Sequence, residues 1–546
     1  MNKQNFDGVT LSILWSRLLA IVDEAGTALQ RTSFSTVTRE SNDFAVVLMD
    51  TQGRSIAQST ISVPSFLGVI PMMTKYLLNG NFPLDSWKPG DVVTTNDPQL
   101  CAGHKPDVGV VSPIFHQEKI IGFIGTISHV PDIGGVLWGA GARDAYEEGL
   151  LIPPTKLYSE GVQNETLISL IENNVRAPMQ TIGDIRAQIA ANDQGRKGLI
   201  SLMEEVGLDN IKSLADQIIG ASEKAMRDAI SEAPDGTYRY TYGADGDGLG
   251  EPITIECAVI IDGDEITVDY EGTSGAHTLG INAVLNYTYA YTAYPIKCTF
   301  SPEVPNNDGA FIPITVKAPR GSLLNATGYV PVGARNMTGN MLHAPVFGAL
   351  VQAVPEQVQS DCGAPCWCVV LNGRDPERDD MEFVEYFFLN GGYGARPTRD
   401  GEGILSFPTN VSNVPIEVLE SSTPIRYHEK SLIPNSAGMG KYRGGLGQKI
   451  IFEVVNETGV NMSVLTEKLK SVSKGLNGGN DSINGKISIS PERFIPPKGI
   501  IRLNKGDIVT MEMPGGGGYG NESERDPELI KTDNDLGYIT ENWNNG

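Results

Sequence analysis

Two short segments pair an imidazole with a carboxylate three positions on: His104 with Asp107 in AGHKPDVGVV, and His129 with Asp132 in ISHVPDIGG. Both read His-x-Pro-Asp and both border runs rich in β-branched residues, so each pair is expected at a strand end. A histidine and an aspartate so spaced in a loop can converge on one cation. Two such pairs on neighbouring strands would supply up to four ligands. Mixed nitrogen and oxygen ligation suits zinc, manganese or ferrous iron, and a neutral imidazole keeps a lone pair for a metal near pH 7. The competing reading is that each histidine hydrogen-bonds its own aspartate and pins a turn. Spacing alone leaves both readings open, because no His-Glu-x-x-His signature is present.

Other candidates carry less chemistry. Asn96-Asp97-Pro98 could complete a ligand shell or merely start a turn. In ARDAYEEGLLIPP, Glu148 is retained over Tyr146 and Glu147 as a carboxylate near the site, which makes Asp132 and Glu148 the candidate catalytic residues. His116, His277, His343 and His428 read as surface or structural. Cys362, Cys366 and Cys368 match neither a zinc ribbon nor a redox Cys-x-x-Cys, and read as part of a core strand. PGGGGYG lacks the Gly-Lys-Ser/Thr ending of a phosphate-binding loop and reads as a turn. The run Arg443-Gly444-Gly445-Leu446-Gly447 lacks the Gly-x-Gly-x-x-Gly frame, and no Gly-x-Ser-x-Gly elbow occurs. No nucleotide site or nucleophilic triad is expected in this chain.

The elements that must position these residues follow from periodicity. Leu11, Leu14, Leu18, Val22, Ala25 and Leu29 recur at helical spacing and predict an amphipathic helix over residues 10–29. FAVVLMDTQGR reads as a strand and turn, and GDVVTTNDP, DVGVVSPIF and IIGFIGTISHV read as strands of one sheet whose ends carry polar loops. Residues 182–233 turn helical, with Leu214, Ile218, Met226 and Ile230 on one face, and Pro234-Asp235-Gly236 closes that stretch. Beyond it, ITIECAVIIDGDEITVDYEG predicts a hairpin about Asp262-Gly263. The fold class expected is α+β: a mixed sheet-and-helix N-terminal domain over residues 1–235, a β-rich region over 236–520, and a loose tail over 521–546.

A chain of 546 residues exceeds what one core usually organises. Its net charge of −24 disfavours nucleic acid and anionic membrane as partners, because both require basic patches. No run of about 18 apolar residues predicts a membrane span. The N-terminus lacks the pattern of a secretory signal, and the cysteines form no disulfide framework, so the cytoplasm is the expected location.

Taken in order, TLSILWSRLLAIVDEAGTALQRTSFS, ESNDFAVVLMDTQGR, GHKPDVGVVSPIF, SHVPDIGG, YEEGLLIPP, VGARNMTGN, NGGYGARPTRDGEG, KYRGGLG and PGGGGYG resemble the hydantoinase B family. That family includes the B-type component of N-methylhydantoinase, the C-terminal half of 5-oxoprolinase and a subunit of acetone and acetophenone carboxylases. The resemblance implies a subunit of a hetero-oligomer that works with a hydantoinase A-like, ATP-binding subunit. The partner would phosphorylate a carbonyl-derived oxygen of a cyclic amide or ketone, and ATP would bind there rather than to this chain. It also implies that a divalent metal is held by His104, Asp107 and His129. An ATP-dependent amidohydrolase subunit is the first functional expectation; a ketone carboxylase subunit and a non-catalytic structural subunit are the alternatives. The chain departs from many relatives at Lys105, at Val130, and at Ser62 and Phe66 in SVPSFLG, which leaves the substrate contacts open.

Overall fold

The structure, a computed structural model, describes residues 5–250, 252–364, 366–378 and 380–540. It is an α+β protein, as expected. Helix α1 (Gly8–Thr32) starts where the Asp7 side chain accepts from the amides of Val9 and Thr10, and it buries the face bearing Leu14, Leu18, Val22, Ala25 and Leu29. It packs with helix Pro178–Val206 against one face of an antiparallel sheet.

That sheet has seven strands: β1 (Phe44–Met49), β2 (Ser55–Gln58), β3 (Val92–Thr95), β4 (Asp107–His116), β5 (Lys119–His129), β6 (Thr155–Ser159) and β7 (Val162–Gln163). Their order is β2-β1-β5-β4-β3-β6-β7. Every residue of β1 is buried, which explains why FAVVLM shows no polar alternation: both faces of the sheet are covered. Phe44, Val46 and Leu48 meet the helices, while Ala45, Val47 and Met49 meet the second half of the chain. Close approach on that second face needs Gly125, where a Cβ would lie 2.5 Å from Ile70.

Helix Lys212–Ile230 gives way to strand Gly236–Ala244 across the Pro234-Asp235-Gly236 turn. The largest hydrophobic cluster draws on both sides of that point, joining Val47 and Phe123 to Tyr287 and Leu324. Beyond residue 236 a four-stranded sheet is followed by two further four-stranded sheets. The last two face each other over a core of Trp367, Phe387, Phe452 and Met511. The hairpin turn at Gly263 forms as predicted. Helix Leu285–Phe300 departs from the β-rich expectation: its Tyr and Thr residues favour strands, but Tyr287 and Tyr291 stand one turn apart on a buried face.

Two further segments differ from expectation. Gly515–Gly518, expected as a turn, forms none and is buried, and a Cβ on Gly516 would lie 2.1 Å from the Tyr393 carbonyl oxygen. The glycines are there because backbones cross at contact distance. Within the expected loose tail, helix Pro527–Asp535 is held by buried charge: Asp533 pairs with Arg525 at 2.6 Å and Arg443 at 3.1 Å. Residues 541–546 of that tail lie outside the described residues. No described helix is long and apolar enough to cross a membrane.

Candidate metal centre

Strands β4 and β5 form a hairpin, so the ladder register decides which residues face each other. Asp107, the first residue of β4, pairs directly with His129, the last of β5. The Val130 amide donates to the Pro106 carbonyl oxygen at 2.9 Å and closes the hairpin end. The same ladder continues into β1, where Phe44 pairs with Ser128 and the His129 amide donates to the Asp43 carbonyl oxygen at 3.1 Å. Asp43, His129 and Asp107 therefore form a row across three adjacent strands, on the face turned toward the second half. Side chains opposite one another on such a ladder lie roughly 5 Å apart at Cβ.

His104 reaches this row from the loop before β4. Its Nε2 lies 3.2 Å from Asp107 Oδ1, and ligand atoms of His104, Asp107 and His129 all fall within 4.8 Å of one another. Its Nδ1 lies 2.9 Å from the Gly333 carbonyl oxygen, so we assign the proton to Nδ1, which leaves the Nε2 lone pair facing the cluster. Trp138 Nε1 donates to the same carbonyl at 2.7 Å, and the Trp138 ring stands edge-on to both imidazoles.

The three side chains are buried, yet His104 Nε2, Asp107 Oδ1 and both ring nitrogens of His129 have no hydrogen-bond partner. Buried polar atoms are seldom left so. Two imidazoles and a carboxylate with orphaned, converging atoms fit a divalent cation of the zinc, manganese or iron class. Arg335 supplies the opposite support: its Nη2 donates to Asp107 Oδ2, its Nε donates to the Ala102 carbonyl oxygen at 2.7 Å, and its guanidinium lies 4.4 Å from the Tyr287 ring centre.

Electrostatics keep the histidines neutral. Burial pushes His104 down, reinforced by Arg335, and burial together with His104 pushes His129 down to about 3. Burial raises Asp107, but the permanently charged Arg335, whose Nη2 donates to Oδ2, counters it, and the carboxyl is held below its ordinary value. Burial, with Asp107 next to it, raises Asp43 to about 8. His129 makes stability depend on pH. Below the unfolded value of about 6.5 the unfolded chain takes up a proton that the buried ring refuses, so stability falls with pH. The metal-free chain should therefore lose stability progressively as the pH is lowered from about 6.5 toward about 3, and this residue is one source of the loss. Urea titrations at several pH values, with His129→Gln as reference, measure it; parallel slopes for the two proteins would refute it.

Glu148 sits beside the cluster rather than in it. Its Oε1 accepts from the amides of Val332, at 2.6 Å, and Gly333, the residue whose carbonyl holds His104. Its Oε2 has no partner, and burial raises the carboxyl to about 7. Asp132 stands apart: Oδ1 is 2.5 Å from Arg176 Nη1, and Oδ2 accepts from the Arg176 amide at 2.6 Å. Lys105 is also buried, with Nζ donating to the carbonyls of Ala145 at 2.6 Å and Gly149 at 2.7 Å, so it ties down the loop that carries Glu148.

Two clefts flank the cluster and share Trp138 as a wall. One lies beside Glu148, Asp132 and Tyr386. The other lies beside Asp43, His129 and Arg335. Sequence reading missed Asp43, Arg335 and Trp138. Asp43 was accessible through the period of two, since it shares a face with Ala45 and Val47. Nothing local marked Arg335, which lies more than two hundred residues from Asp107 along the chain.

Comparison with known proteins agrees with this architecture. The family model Hydantoinase B/oxoprolinase matches residues 7–522. A protein from Pseudomonas sp. (strain NS671), named as the B-type component of a D-/L-hydantoinase, is 34% identical over 98% of this chain and 94% of its own length. The crystal structure of the ATP-dependent caprolactamase from Pseudomonas jessenii superposes with a TM-score of 0.89 at 26% identity, over 98% of this chain and 95% of that one. A nucleotide-free acetone carboxylase structure gives a TM-score of 0.87 at 20% identity over 98% of this chain and 79% of that one, which shows a shared fold.

Proposed function

Because the chain belongs to the hydantoinase B/oxoprolinase family, we propose that it is the metal-binding catalytic subunit of an ATP-dependent cyclic amide hydrolase, acting on a species phosphorylated by a separate ATP-binding subunit. The observation that carries this reading is the buried set of orphaned donor atoms on His104, Asp107 and His129. Those residues would hold the cation, and Asp43 stands next in the row as a fourth candidate. When bound, the cation supplies Lewis-acid polarisation of a substrate oxygen.

The chain's own groups do the rest. Arg335 holds Asp107 ionised and oriented, and Gly333 fixes the His104 ring. Glu148, with one oxygen free and a value near 7, can accept a proton from water in the cleft it lines. Asp132, also a candidate catalytic carboxylate, is engaged by Arg176; it shapes the wall of the Glu148 cleft.

Amide hydrolysis is placed ahead of ketone carboxylation because the 34% and 26% identical relatives are named for cyclic amides, whereas the carboxylase likeness is one of fold. The test is reconstitution with the ATP-binding partner and assay of ADP release against hydantoin, 5-oxoproline and lactams, and against ketones with bicarbonate. Stimulation by cyclic amides is expected. Stimulation by ketones alone would overturn the hydrolase reading, and a chain purified without chelator but empty of metal would favour a structural role.

A further inference from the structure

The cleft on the Arg335 side offers more polar groups than the ligand set uses. It is a small cleft, with room for a few water-sized molecules. Tyr287, Tyr291 and Phe388 provide flat apolar walls, and Arg335, Asn336 and Asn340 provide the polar ones. Arg335 spends Nε on Ala102 and Nη2 on Asp107, which leaves Nη1 outside both contacts. The Oδ1 atoms of Asn336 and Asn340 accept no hydrogen bond, although the residues are only 7% and 3% exposed. Asn336 Nδ2 reaches only sulfur, at 3.8 Å in Met337 and 3.6 Å in Cys368. Deeply buried acceptors without donors, beside a spare guanidinium donor, call for a ligand that brings both an oxygen and an N–H.

Resting on the cyclic amide reading above, we propose that this cleft is the recognition pocket for a planar amide or ureide with an unsubstituted ring nitrogen. The carbonyl oxygen faces Arg335 and His129, the ring N–H donates to the side-chain oxygen of Asn336 or Asn340, and the ring lies among the aromatic walls. A ketone brings the oxygen without the N–H. A ring methylated at every nitrogen loses the donor and sets a methyl group against the asparagines. Rejection of a ligand that lacks one hydrogen-bonding group is steep in such a site, because the protein's own buried group stays unpaired. The cleft beside Glu148 has no carboxamide in its lining.

Saturation-transfer difference NMR on the zinc-loaded chain tests this, with hydantoin and 1,3-dimethylhydantoin as probes. Hydantoin should give a signal, and the dimethyl compound one weaker by about fivefold or more. Val411→Trp, which fills this cleft, should remove the hydantoin signal, whereas Val136→Phe in the other cleft should keep it. Asn340→Leu and Asn336→Leu are measured beside them, with circular dichroism confirming folding; loss of the preference for hydantoin in either supports the pocket. Equal signals from the two probes, no hydantoin signal, an unchanged preference in both asparagine variants, or a signal lost only in Val136→Phe would overturn it. Turnover is a separate readout. Binding with this preference but no amide hydrolysis defeats the functional reading and leaves the pocket standing, and hydrolysis without the preference does the reverse.

Discussion

Replacing His129 by alanine is expected to strip the metal and abolish turnover of the reconstituted complex while leaving the fold intact. The ring contributes two buried nitrogens that bond nothing in the protein, so its removal deletes no hydrogen bond. The cost of the cavity is offset by relief of unpaired polar atoms, and the metal-free variant should stay within about 2 kcal/mol of the parent. Metal binding has no such compensation. Loss of a residue that merely supports a ligand costs roughly 10–100-fold in affinity, and loss of a ligand from a cluster of three must cost more. Elemental analysis of protein purified without chelator should show the parent loaded and His129→Ala, like His104→Ala, nearly empty. A fully loaded, active variant would remove the cluster from the reaction. His277→Ala, outside the cluster, serves as the control.

Arg335→Met should destabilise the metal-free chain by about 3–5 kcal/mol, because it leaves the Asp107 carboxylate buried without its cation. A bound divalent metal takes over that neutralisation, so the loss should shrink when zinc is present. By linkage, the folded variant must then gain metal affinity by the same factor. Urea denaturation with chelator and with zinc measures both sides of that balance. Asp107→Asn in the Arg335→Met background should restore much of the lost stability, since the stranded charge is gone. Equal destabilisation with and without metal would show that Arg335 acts only by packing on Tyr287.

Much of the site was legible because its parts lie close in sequence. The two His-x-Pro-Asp segments flank one hairpin, and the β-branched runs between them announced the strands. What spacing could not supply was the register. A ladder shifted by one residue would have turned His129 to the helical face and broken the cluster. The register observed pairs Asp107 with His129 and leaves Asp132 beyond the strand end, where Arg176 takes it. Two motifs identical in pattern thus meet different ends, a difference no composition or periodicity contains. The helix Leu285–Phe300 was hidden for a related reason: its strand-favouring residues are overruled by burial, with Tyr287 against Gly103 and Gly339.

The donor types, the strands that carry them, the α+β class and, through its ordered motifs, the family can all be read from the amino-acid order. These rest on local pattern, which a chain displays before it folds. Long-range packing places Asp43 in the row, sets Arg335 against Asp107, braces Gly333 and through it His104 with Glu148, and makes Asn336 and Asn340 walls of a cleft beside the cluster. Each of those contacts joins segments far apart in the chain, and burial against a common core is what brings them together.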